Sequence, residues 1–191
     1  MDFKLKHNSP QSWLETVLGD FDQFLVDHAS CEKKASGMAI SMISHYPDKP
    51  GLVKAMLDLA IEELGHFRDV MALLISKGLQ SGADQKDHYV NQLHKAMDQG
   101  TEAYLLDRLL IASIVEARGE ERFGMIAEAL PDGRLKTFYR SITESENQHY
   151  KLFLSLAEQH CDGDKINHRL EELLDIEANI IQNLPDRPAL H

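Results

Sequence analysis

The sequence predicts an all-α protein, and three observations carry that reading. No stretch alternates apolar and polar residues for long, so strand signals are nearly absent. Val and Ile are scattered among Leu, Ala, Met and Glu, which favour helix. Apolar residues recur at three- and four-residue intervals along several long segments, the spacing that gives a helix one face to bury. With 191 residues and 43% hydrophobic content the chain can bury one sizeable core, and its length favours a single domain spanning 1–191.

The elements follow in order. Asn8-Ser9-Pro10 is a helix-start signal, with Ser9 as cap and Pro10 in the first turn, and Trp13, Val17, Phe21 and Phe24 continue it as a packing stripe. A helix from about Ala29 to His45 carries Glu32, has Ala35, Ala39, Met42 and Ile43 near its inner side, and ends before Tyr46-Pro47. The next starts after Asp48 with Pro50 early, carries Glu63 and His66, and runs to about Lys77, where Gly78 stops it. From Leu79 to Gly100 the chain turns polar, a long crossover with a loop at 80–84 and a short helix over 86–97. Thr101 caps a helix to about Leu130 carrying Glu116. After Pro131-Asp132-Gly133 another helix runs from Arg134 to about His160, carrying Glu146 and His149, and a last amphipathic one spans Lys165 to about Asn183.

Chemistry is concentrated in two Glu-x-x-His steps, Glu63 to His66 and Glu146 to His149. Each follows a lone glutamate by nearly the same interval: Glu32 precedes Glu63 by 31 residues and Glu116 precedes Glu146 by 30. Residues three apart share one face of a helix, so each step aims a carboxylate and an imidazole at a common point. With 10 His in the chain, roughly 0.8 such steps are expected by chance, so a matched pair, each with its upstream Glu, stands well above coincidence. Glu62 points away from Glu63 and lacks a His three residues on. Glu120, one turn after Glu116, lies on nearly the same face and is the alternative ligand there. Glu102, Glu121 and Glu144 read as solvated helix surface, and His28, His45, His88, His94, His160 and His168 as surface or packing groups without a partner at ligand spacing. Tyr104, Tyr139 and Tyr150 are not placed by sequence.

Four carboxylates and two imidazoles suit iron or manganese better than zinc in a structural site, which favours sulfur-rich sets of four. By the pattern Glu63 and Glu146 bridge two metals, Glu32 with His66 completes one ion and Glu116 with His149 the other. Two helix pairs joined by one long crossover, with extra helices at the N- and C-terminal ends, describe a ferritin-like four-helix bundle, the fold in which such a ligand set serves di-iron and di-manganese proteins as a class.

The balance of the chain narrows the possibilities. No run approaches the ~18 apolar residues that a membrane span needs, and the opening MDFKLKHNSP has no signal-like apolar segment. Cys31 and Cys161 imply no disulfide framework, which fits a soluble cytoplasmic protein. The net charge of −11 argues against a generic nucleic-acid-coating protein. Charge is uneven, however: residues 152–191 hold eight acids against three bases, whereas Gly133 to Arg140 carries three bases and no acid.

The string HASCEKKASGMAISMISHYPDKPGLVKAMLDLAIEELGHFRDVMALLISKGL, with VEARGEERF and SENQHYKLF later, resembles the tRNA hydroxylases that act on 2-methylthio-N6-isopentenyl-adenosine, the family called MiaE. The likeness covers most of the chain. It implies a non-haem di-iron mono-oxygenase that hydroxylates the isopentenyl group of a modified adenosine beside the tRNA anticodon. The six ligand types carry over as Glu32, Glu63, His66, Glu116, Glu146 and His149, holding two Fe ions. Dioxygen is then the co-substrate, and two electrons come from a reductase such as a ferredoxin or flavodoxin system. A tRNA substrate with so acidic a protein requires a restricted basic surface, for which Lys33, Lys34, Arg118, Arg122, Arg134, Lys136 and Arg140 are the candidates.

Three other readings compete. A ferritin-like ferroxidase or iron-storage subunit needs the same six ligands. A rubrerythrin-like peroxidase would carry Cys-x-x-Cys pairs, which this sequence lacks. A metal-free helical interaction protein leaves the matched carboxylate-imidazole pairs unexplained.

Overall fold

The computed structural model describes residues 2–98 and 100–191, without the side chains of Thr101 and Glu102, so the surface reading of Glu102 lies outside the described residues. Among the described residues the only regular elements are seven helices: α1 Gln11–Gly19, α2 Phe21–His45, α3 Pro50–Ser76, α4 His88–Lys95, α5 Thr101–Ala129, α6 Arg134–His160 and α7 Gly163–Asn183. Their contacts divide the chain into two compact units, one of residues 15–85 and 187–190, the other of residues 1–14, 86–186 and 191.

The smaller unit is built on the α2–α3 hairpin. Phe24, Leu25, Ala29, Ala39 and Met42 of α2, and Leu52, Met56, Leu59, Ala60, Val70 and Leu74 of α3, are buried at helical spacing. Small residues let the two helices approach, and there the Ser36 hydroxyl donates to the Ala60 carbonyl at 2.8 Å. The α3 boundaries follow the expected chemistry, with Pro50 in the first turn and Gly78 at φ +72° closing the end while the Leu79 amide reaches back to the Leu74 carbonyl at 2.9 Å. The polar segment after α3 is tethered to α2: Ser30 donates to Asp84 at 2.9 Å, Lys33 pairs with Asp84 at 2.7 Å, and Lys34 donates to the Gln85 carbonyl at 2.9 Å.

In the larger unit α5 pairs with α6 along most of their length, α7 lies against both, and α4 packs on α5 and α7. Two buried charges of α5 organise it. Asp107 takes a forked pair of bonds from Arg169, both 2.8 Å, and accepts the Asp98 amide at 2.7 Å. Arg118, fully buried, meets the equally buried Glu177 of α7 at 2.8 and 2.9 Å, and Tyr89 of α4 donates to the same carboxylate at 3.0 Å. Arg118 also binds Glu121, the Ser9 hydroxyl at 3.2 Å and the His7 carbonyl at 2.7 Å, while Arg122 donates to Ser9 at 2.9 Å and stacks on Trp13. Together with the Lys6–Asp175 bridge at 2.7 Å, these contacts strap residues 2–14 onto α5 and α7.

Several expectations change. The second helix starts at Phe21 rather than near Ala29, because Asp20 caps it, accepting the Gln23 amide at 3.2 Å, and the leading helix is short. Gly100 rather than Thr101 is the N-cap of α5. Ser9 binds Arg118, Arg122 and Glu121, and Glu121 is half-buried in that network rather than solvated. The short crossover helix is trimmed to His88–Lys95 by an Asp87 cap, whereas α6 starts and ends where expected and α7 starts two residues early, capped by Asp162. No helix is long and apolar enough to cross a membrane among the described residues.

Candidate metal centre

Each unit buries one carboxylate-imidazole cluster. On the α2–α3 hairpin, Glu32 and Glu63 are almost fully buried, at 3% and 1% exposure, and the His66 ring is partly open to solvent. His66 Nδ1 stands 3.6 Å from Glu32 Oε2 and 3.4 Å from Glu63 Oε2, and one donor atom from each of the three lies within 4.8 Å of the others. Glu62, next in sequence to Glu63, is exposed. The helix thus selects the carboxylate whose position repeats with His66, as a three-residue step requires.

On the α5–α6 hairpin, Glu116, Glu146 and His149 are all buried. His149 Nδ1 lies 3.8 Å from Glu146 Oε2, and its other ring nitrogen, Nε2, lies 3.3 Å from the Ser145 hydroxyl. The α5 backbone comes close to the Glu146 carboxylate at Gly119, where a Cβ would sit 3.5 Å from it. Glu120 is half-buried and accepts from Asn147 at 2.6 Å, whereas Glu116 is the more buried of the two.

Electrostatics in the smaller unit is that of a carboxylate pair around a cation. Burial pushes the Glu32 carboxyl up, but hydrogen bonds from His28 and His66 outweigh it and hold it below the ordinary carboxylate range. Burial likewise lowers His66, and its bonds to Glu32 and Glu63 overcome that and push it up to about 10. A protonated His66 ring would offset part of the negative charge of the two buried carboxylates beside it. Because the folded value lies above the unfolded one, this pair stabilises the fold fully below about pH 6.5 and loses its contribution as pH rises through about 10. The melting temperature of metal-free protein should fall between pH 7 and 10 more steeply than that of iron-loaded protein or of His66→Gln, and iron should raise it throughout. Parallel pH profiles for all three would contradict this.

Sequence reasoning missed His28. It is fully buried, and its Nε2 donates to Glu32 Oε1 at 2.6 Å. The signal was the four-residue interval from His28 to Glu32, the reverse order of the Glu-x-x-His search. His45, His88, His94 and His168 are exposed, as expected. Tyr139 packs on Phe123 and Tyr150 donates to Asp2 at 2.9 Å, so each has a packing role. Arg118 and Arg122 are buried and do not belong to a basic surface, and Lys33 and Lys34 are engaged with the 84–85 segment. Cys31 and Cys161 are not joined in a disulfide, and the Cys31 thiol faces Asp27 at 3.7 Å.

The family model for tRNA-(MS[2]IO[6]A)-hydroxylase (MiaE) matches residues 1–191, the full chain. The chain belongs to this family. Among curated MiaE relatives, the tRNA 2-(methylsulfanyl)-N(6)-isopentenyladenosine(37) hydroxylase of Pseudomonas putida is 32% identical, covering 94% of this chain and 86% of that protein. The enzyme of the same name from Salmonella typhimurium is 33% identical, covering 94% and 83%. A solved structure described as protein 43 with aldehyde deformylating oxygenase activity from Synechococcus superposes with a TM-score of 0.92 at 34% identity, over 98% of this chain and 93% of that one. The MiaE chain is thus an all-α protein of the ferritin-like class, with four long helices in two pairs, one long crossover and extra helices near both ends.

Proposed function

We propose that this protein is a di-iron mono-oxygenase that hydroxylates the isopentenyl group of 2-methylthio-N6-isopentenyl-adenosine in tRNA, acting in the cytoplasm as one ferritin-like domain. The observation that carries the reading is the pair of buried Glu-x-x-His clusters, each on a hairpin that also buries a further Glu, in a chain matched along its whole length by the MiaE family. The donor set fits iron: carboxylate oxygens and imidazole nitrogens, no thiolate, packed within the helices. Glu32, Glu63, His66, Glu116, Glu146 and His149 are the residues that would hold two Fe ions.

When bound, those ions would supply dioxygen activation, so that one oxygen atom enters a C–H bond and the other leaves as water, with two electrons and two protons consumed. The electrons require a reductase of the ferredoxin or flavodoxin type. The residues of this chain contribute the rest. Burial keeps water from the carboxylates, Ser145 orients His149, and four carboxylates match the charge of two Fe(II) ions, which allows the pair to sit in an apolar interior. For the tRNA, the exposed Arg134 and Arg140 at the start of α6, the latter 3.4 Å from Glu128, would with Lys136 beside Asp132 offer a restricted cationic surface.

Iron-loaded protein given a reductase, NADPH and oxygen should convert isopentenylated tRNA to a product heavier by one oxygen atom, read by mass spectrometry of the digested nucleosides. Unchanged tRNA with mineralisation of bulk iron would instead establish the ferroxidase reading, for which none of the relatives named above speaks.

A further inference from the structure

We infer that His28 is a positioning residue that reserves one oxygen of Glu32 and so restricts this carboxylate to binding its metal through the other oxygen alone. The inference rests on the proposed role of Glu32 as a metal ligand and goes beyond it.

The geometry lies within α2 and α3. His28 and Glu32 are one turn apart on α2, both buried, the imidazole fully so. His28 Nε2 contacts Glu32 Oε1 at 2.6 Å, at the short end of charge-assisted hydrogen bonds. The other oxygen, Oε2, faces His66 Nδ1 at 3.6 Å, on the side where Glu63 also presents an oxygen. The two oxygens of Glu32 therefore have separate tasks, one facing the His28 ring and the other facing the cluster. Phe24 holds the His28 ring from the preceding turn, with ring centroids 5.9 Å apart, which limits its freedom to swing away. A buried bond to Oε1 fixes the plane of the carboxylate and draws donor strength from that oxygen, which leaves Oε2 as the better-placed donor to a metal. Glu32 and His66 would then hold an ion with one carboxylate oxygen and one ring nitrogen between them, so that fewer donors crowd it. Ligand partners of this kind change metal affinity or activity by roughly 10–100-fold when removed.

The test uses full-length protein and the metal alone as probe. His28→Phe keeps a ring against Phe24 and deletes the donor. Iron titration of metal-free protein should show about 10-fold or greater loss of affinity at one of two sites, and the Mössbauer spectrum of protein reloaded with ⁵⁷Fe(II) should show one quadrupole doublet shifted and the other unchanged. His28→Gln, which retains a donor of similar reach, should restore both readouts towards wild type. His28→Met, nearly isosteric with Gln but without a donor, should not, and this pair makes the comparison if the Phe variant does not fold. Wild-type affinity and an unmoved spectrum in His28→Phe or His28→Met would overturn the inference. Glu32→Ala separates it from the reading on which it rests. Loss of one iron in Glu32→Ala with no effect of the donor-free His28 variants would remove the positioning role alone, whereas two irons with an unaltered spectrum in Glu32→Ala would remove the ligand assignment as well.

Discussion

Replacing Glu63 with alanine is expected to abolish hydroxylation of isopentenylated tRNA and to reduce bound iron from two ions per chain to one or none. Glu63 is 1% exposed, sits on the buried face of α3, and holds its carboxylate 3.4 Å from His66 Nδ1. Nothing else on that helix can replace it, because Glu62 points into solvent and the next turn offers only Phe67. Residues that merely support a ligand cost roughly 10–100-fold, so loss of a ligand should exceed about 100-fold in kcat. Glu62→Ala, one position away and exposed, should retain full iron and activity. Single-turnover product yield, colorimetric iron content and far-ultraviolet circular dichroism measured together separate loss of the metal from loss of the fold. A Glu63→Ala protein that binds two irons and turns over normally would contradict the proposed ligand set.

The second large effect is on stability and lies away from the carboxylate clusters. Arg118→Met removes the cation that faces Glu177 at 2.8 Å in a place where both side chains are wholly buried. The Glu177 carboxylate would then be left with only the Tyr89 hydroxyl, at 3.0 Å, and the His7 carbonyl and Ser9 hydroxyl would each lose a donor. Breaking one side of a buried pair costs about 3–5 kcal/mol, and for a chain of this size that is roughly 6–20 °C in melting temperature. The double variant Arg118→Met with Glu177→Leu should recover much of the loss, because an apolar pair avoids the desolvation that the charges require. If the single variant melts within about 2 °C of wild type, the network is not the anchor that its geometry suggests.

Much of this protein is legible in its sequence, and most of the larger exceptions have a physical cause in common. The start of α6 at Arg134, the end of α3 at Gly78 and the role of Pro50 follow from local chemistry, where backbone geometry alone decides. Glu63 and His66 stand out for the same reason, since a three-residue step on a helix needs no knowledge of the rest of the fold. What sequence did not reveal depends on partners far along the chain. Arg118 and Arg122 read as basic surface because nothing local shows that Glu177, 59 residues after Arg118, and the segment around Ser9 will enclose them. His28 was a different kind of omission, its partner only one turn away but in an order that a search for Glu before His passes over.

The strap of residues 2–14 also bears on how the chain is made. Residues 15–85 supply nearly all of their own compact unit, so the α2–α3 hairpin can form as soon as it leaves the ribosome, from contacts close in sequence. Lys6 and His7, by contrast, find their partners far along the chain, at Asp175 of α7 and Arg118 of α5. The leading segment therefore docks only after α5 and α7 are in place, more than 100 residues downstream of it. A slow final phase in refolding, absent from a variant in which Arg118 no longer grips the leading segment, is the kinetic trace this topology would leave.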